Sequence, residues 1–130
     1  MRLIGDFFDI VGTESTEAGL VWQVRLNPDH YIFRAHFPGN PMTPGVCLVQ
    51  MATELLEERG AEAALFCCDE ENVGFYRRCG WERLPGNPLT VGTPPRVEPS
   101  PVMFRAFAPS GEELRERLAS GTLHFGDYVW

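Results

Sequence analysis

Apolar and polar positions change their spacing repeatedly along this chain, and each change marks a predicted element. Leu3 to Val11 is apolar with acids set between, and Leu20-Val21-Trp22-Gln23-Val24-Arg25-Leu26 alternates with a period of two. That spacing predicts strands at 3–11 and 20–26, joined through Thr13 to Gly19. Asn27-Pro28-Asp29 predicts a turn, and Tyr31 to Ala35 a short third strand or an irregular lead-in to His36. From Pro44 to about Arg59 the pattern is helical, and its first half is apolar nearly all round, at Val46, Cys47, Leu48, Val49, Met51 and Ala52, with Gln50 between them. Such a helix is expected to be wrapped by other elements, with Glu54, Glu57 and Glu58 marking where it meets water. Gly60 is placed to end it in a left-handed cap.

Beyond Gly60 the character changes. Ala63 to Cys68 predicts a buried strand, and Asp69 a cap for a second helix, Glu70 to Cys79, closed by Gly80. Six prolines between Pro85 and Pro101 predict an extended connection with one edge strand at Leu89 to Val91. Val102 to Phe107 predicts a strand. Ser110-Gly111-Glu112-Glu113 has capping-box spacing and starts a helix through Ala119, and Thr122 to Trp130 predicts a terminal strand with His124 on the surface.

Composition narrows the function classes. A chain of 130 residues, 44% hydrophobic, is expected as a single domain, 1–130. Its net charge of −7, with eleven arginines and no lysine, disfavours nucleic acid or an anionic membrane as partner and removes Schiff-base chemistry. Cysteines at 47, 67, 68 and 79 lack zinc spacing, so reduced thiols in a cytoplasmic protein are expected, with no metal and no bound cofactor. Asp6 and Asp9 interrupt the first apolar segment, which argues against a secretory leader, and no apolar run reaches membrane-spanning length.

The candidate chemistry lies at the start of the apolar helix. His36-Phe37-Pro38-Gly39-Asn40-Pro41-Met42-Thr43-Pro44-Gly45-Val46 is a rigid turn running into a helix start, with Thr43 as the cap and Pro44 as the first helical residue. The N–H groups of Gly45 and Val46 then stand at the helix mouth, beside a histidine a few residues upstream. A helix N-terminus favours a developing negative charge, and imidazole shuttles protons near neutral pH. Together they suit removal of a proton next to a thioester carbonyl.

His30-Tyr31-Ile32-Phe33-Arg34-Ala35 followed by His36-Phe37-Pro38-Gly39-Asn40-Pro41 and Pro44-Gly45-Val46 resembles the signature of the hotdog-fold beta-hydroxyacyl-[acyl-carrier-protein] dehydratases of fatty acid synthesis, over residues 1–58. The resemblance implies that His36 is the base on the substrate's C2 proton and that the amides of Gly39 and Val46 hold the thioester oxygen. It implies an acyl carrier protein or coenzyme A thioester as partner, and a homodimer sharing the site. Where that family has the carboxylate that protonates the leaving hydroxyl, this chain has Gln50, which cannot act as a general acid. One turn on stands Glu54, on the same helix face: a substitute acid or a polar residue on the exposed side.

A second string, Asn72-Val73-Gly74-Phe75-Tyr76-Arg77-Arg78-Cys79-Gly80-Trp81, is similar to an element in the C-terminal half of GNAT-fold acetyltransferases, loosely over residues 59–107. That similarity implies that Asn72 touches coenzyme A and that the Tyr76 hydroxyl protonates the departing thiolate. The pyrophosphate-binding glycine turn of that family is missing, so Val73, Tyr76 and Cys79 are better read as the apolar side of a covering helix. Two resemblances meeting at a helix end suggest a recombinant or designed chimera. The expected fold class is α+β, an antiparallel sheet wrapped around a central helix in the hotdog manner, with an additional small helix from the GNAT-like segment. The expected function is an acyl-thioester-binding domain, at best a weak 3-hydroxyacyl-thioester dehydratase. The alternatives are a non-catalytic chimera or an acetyltransferase remnant.

Overall fold

A computed structural model describes residues 2–35, 44–86 and 89–127. They belong to two compact units, Met1–Leu55 and Leu56–Trp130. In the first, β1 (Phe8–Thr16) pairs antiparallel with β2 (Gly19–Leu26), Phe8 opposite Leu26 and Thr16 opposite Gly19, with a bulge between Ile10 and Gly12. The period-two pattern works as predicted: Leu20, Trp22, Val24 and Leu26 are half-buried while Val21, Gln23 and Arg25 are exposed. The inward side adds Ile10, Val24 and Leu26 to a core of Leu3, Phe7, Phe8, Ile32, Cys47 and Met51. Leu3, Phe7 and Phe8 are at most 1% exposed. Burying each such side chain stabilises the unit by about 1.5–3 kcal/mol.

Two expectations fail here for local reasons. The first strand begins at Phe8 instead of Leu3, because Gly5, at φ +82°, reverses the chain and Phe7 N–H closes onto Leu3 O at 2.7 Å. Tyr31–Ala35 is a short helix, α1, and neither a strand nor an irregular lead-in. The preceding turn winds straight into it. Asn27 Oδ1 accepts from Asp29 N–H at 3.1 Å, Asn27 O from His30 N–H at 3.2 Å, and His30 O from Phe33 N–H at 3.1 Å.

Helix α2 spans Gly45–Glu58. Pro44 O accepts from both Cys47 N–H (2.9 Å) and Leu48 N–H (3.2 Å), so Pro44 holds the cap position, one residue beyond the expected cap, Thr43, which lies outside the described residues. Gly60, at φ +78°, ends the helix in the predicted left-handed cap. Only one side of α2 is covered: Cys47, Met51, Thr53 and Glu54 are buried, while Val46 and Leu48 are 49% and 55% exposed. Among the described residues, therefore, the helix is not wrapped all round, and Glu54 is not where it meets water.

In the second unit β3 (Ala63–Cys67) and β4 (Glu82–Arg83) flank β7 (Val102–Ala106), both antiparallel. A second sheet places β5 (Leu89–Val91) between antiparallel β6 (Arg96–Glu98) and parallel β8 (Leu123–His124). The expected edge strand at 89–91 is thus central. No proline falls within it, so its N–H groups remain available to both neighbours. The expected helix over 70–79 divides into a 3₁₀ turn, Glu70–Asn72, and α3, Val73–Arg78; Asp69 has the extended backbone of a cap but makes no capping bond with its side chain. Helix α4 begins at Pro109 with Ala108 as cap, because proline's fixed φ takes the first helical position and leaves Ser110 inside the helix. Cys67, Leu84, Leu89, Val102 and Phe104 form this unit's core. The class is α+β, and the described strands lie in three separate sheets rather than the one wrapped sheet expected.

Candidate active-site helix

The candidate site is built on the first three turns of α2. Gly45 and Val46 occupy its first turn and are exposed, so their N–H groups precede the first intrahelical bond, that of Cys47 to Pro44 O. Val46, Gln50 and Glu54 follow at helical spacing, the last two on consecutive turns. The structure joins Gln50 and Glu54: Gln50 Nε2 donates to Glu54 Oε1 at 3.1 Å. His36 and Gly39 lie outside the described residues.

Glu54 is 6% exposed, and its carboxylate is taken up by backbone. Leu3 N–H donates to Oε1 at 2.6 Å and Ile4 N–H to Oε2 at 2.7 Å. A carboxylate with three N–H donors clasps the start of the chain to α2, and charge-assisted bonds of this length are the strong kind. The hydroxyl of the adjacent Thr53 donates to Val49 O, one turn back, at 2.8 Å, so the other buried polar side chain on this stretch is satisfied within the helix. Next to Val46, burial pushes the Cys47 thiol up from its ordinary range, which removes it as a nucleophile near neutral pH.

A second polar cluster, which the sequence pattern did not single out, sits just ahead of α1. His30 is 6% exposed. Its Nδ1 accepts from Ile32 N–H at 3.2 Å, so in the neutral ring the proton is on Nε2, which donates to Asp6 Oδ2 at 3.1 Å. The Phe7 ring stands edge-on to the imidazole at 5.1 Å and Tyr31 lies tilted against it at 4.6 Å. The available signal was the Asn27-Pro28-Asp29 turn, which places residue 30 where a helix cap belongs.

In the second unit Asn72 is exposed at the 3₁₀ turn, and Tyr76 is half-buried, its ring edge-on to Phe66 at 4.7 Å. Val73 is buried on the same side, as expected of a covering helix. Among the described residues no cluster of three or more His, Cys, Asp or Glu could hold a metal ion, and no helix is long and apolar enough to cross a membrane.

Against known proteins, the model of the ApeI-like family, described as ApeI dehydratase, matches residues 12–76, half of the chain. No curated protein and no solved structure matches. The matched span runs without a break across residue 58 and includes Asn72 and Tyr76, so one family accounts for both sides of the suggested join, and no comparison supports an acetyltransferase segment.

Proposed function

This chain belongs to the ApeI-like dehydratase family, and we propose that within it the chain is a hotdog-like acyl-thioester-binding domain whose dehydratase chemistry is weakened. His36 is the base on the substrate's C2 proton. The N–H groups of Gly39 and Val46, with Gly45 beside them, receive the thioester oxygen as negative charge develops on it. The carrier is an acyl carrier protein or coenzyme A.

One observation carries the reading of weakened chemistry: the carboxylate one turn from Gln50, that of Glu54, has its oxygens held by Leu3 and Ile4 N–H and by Gln50 itself. Dehydration needs a proton for the departing hydroxyl, and neither an amide nor a clasped carboxylate is equipped to deliver one. Binding and enolate-like polarisation are left intact by this change. The exposed Val46 and Leu48, flanking the helix mouth, suit a site completed by a second copy of the chain.

Binding is tested by adding a butyryl-pantetheine thioester and following backbone amide resonances. Shifts concentrated at Gly45 and Val46 support the assignment. Shifts absent there, or unchanged by His36→Ala, contradict it.

A further inference from the structure

We propose that the second unit carries a binding site for a small zwitterion, an amino acid with an apolar side chain, in the recess where its two sheets part. β4 is an edge strand of one sheet and β6 an edge strand of the other, and among the described residues no ladder joins them. β6 runs through Pro99-Ser100-Pro101 into β7. Two prolines without N–H groups leave that crossover poorly able to stitch the edges together. The gap is a cavity of about 370 Å³, partly open to solvent. Ligand pockets run from about 300 to 1,000 Å³, so this one suits a small ligand.

The lining combines apolar surface with one charge of each sign. Leu84 and Val102 line the cavity although each is only 4% exposed, and Pro101 adds apolar surface without a donor. Arg83 and Glu98 line the same cavity, yet the ion pair that Arg83 makes goes elsewhere, from Nη1 to Glu70. Its Nε and Nη2 have no protein acceptor among the described residues. Glu98 Oε1 accepts from the Ser100 hydroxyl at 2.9 Å, which fixes the carboxylate and leaves Oε2 without a donor among the described residues. A ligand that satisfies both walls carries an anionic group for the guanidinium, a cationic group for the carboxylate, and an apolar body between or beside them. A ligand with one charge alone meets a like charge across the same small space, which is the repulsive half of the selectivity. Neither Arg83 nor Glu98 takes part in the thioester chemistry proposed for α2, so the two readings stand or fall separately.

The test follows backbone amide resonances of the full chain while L-leucine is added. The expected result is saturable shifts at Leu84, Gly86, Val97, Ser100 and Val102, with a Kd on the order of 1 mM. Isocaproate, which lacks the amine, and isopentylamine, which lacks the carboxylate, are each expected to bind about tenfold more weakly or worse. Glu98→Gln keeps an acceptor for the Ser100 hydroxyl and removes the charge, and it is expected to weaken leucine about tenfold while leaving isocaproate no weaker. Arg83→Gln is expected to do the converse, sparing isopentylamine; its bridge to Glu70 is exposed and worth little, so the fold survives its loss. Urea unfolding of both variants checks that. No response to leucine, shifts scattered away from those amides, leucine bound no better than the one-charge analogues, or leucine bound equally well by Glu98→Gln overturns the proposal.

Discussion

Glu54 shows how a single side chain changes meaning with its surroundings. On the helix pattern it is either a substitute acid or a solvated residue; in the structure it is a buried acceptor for the N–H groups of Leu3 and Ile4. Replacing it with glutamine keeps the shape but sets an NH₂ group against one of those donors. Glu54→Gln is expected to cost about 1–3 kcal/mol, measured by urea unfolding, with no gain in dehydratase rate. Cys67 offers a test at the alkaline end. Burial first, then the neighbouring Cys68 and Glu98, push its thiol up from 9.0 to about 11. In the unfolded chain the thiol loses its proton first, so between those values the folded state holds more protons and stability falls as pH rises. Below 9.0 this penalty is absent. Cys67→Ala is expected to flatten that alkaline slope in a series of unfolding curves.

At the scale of elements, the sharpest test is the contact between α4 and the start of β3. Gly111 lies in the first turn of α4, and a Cβ built there would stand 2.1 Å from Glu62 O, whose backbone also receives Phe107 N–H at 2.9 Å. Gly111→Ala must push the helix off the strand, an overpacking expected to cost about 1–3 kcal/mol in thermal or urea unfolding. Long, strongly patterned elements were legible in the sequence: β2 from its alternation, α2 from its apolar run, and the end of α2 from Gly60. What was not legible depends on bonds between particular groups. α1 follows from the hydrogen bonds of the Asn27 turn, and α4 starts early because Pro109 competes with Ser110 for the helix entrance. The central place of β5 depends on a partner far along the chain, His124 opposite Thr90, added to the nearby Val97 on its other side, and local pattern does not encode that distant pairing. Of the candidate residues, Gly45, Val46 and Gln50 fall on α2, a helix the pattern predicted, whereas the clasp at Glu54 and the bond from Ile32 N–H to His30 needed the third dimension.

At the scale of the molecule, the two compact units divide at Leu55 and Leu56, inside α2 and close to where the sequence changes its resemblance. The family match nonetheless covers 12–76, so the dehydratase relationship extends past that division. If a second copy completes the site, size-exclusion chromatography is expected to give about twice the mass of one chain, and Leu48→Glu to return it to a single chain by placing charge on an exposed apolar position. The central claim, a thioester site with its base present and its acid missing, is tested most directly by following enoyl absorbance on 3-hydroxybutyryl thioester for the wild type, His36→Ala and Gln50→Glu. The account predicts slow turnover by the wild type, none by His36→Ala, and a gain of about tenfold or more for Gln50→Glu, the scale general-acid catalysis supplies. A Gln50→Glu protein no faster than the wild type, or a His36→Ala protein equally fast, would contradict it.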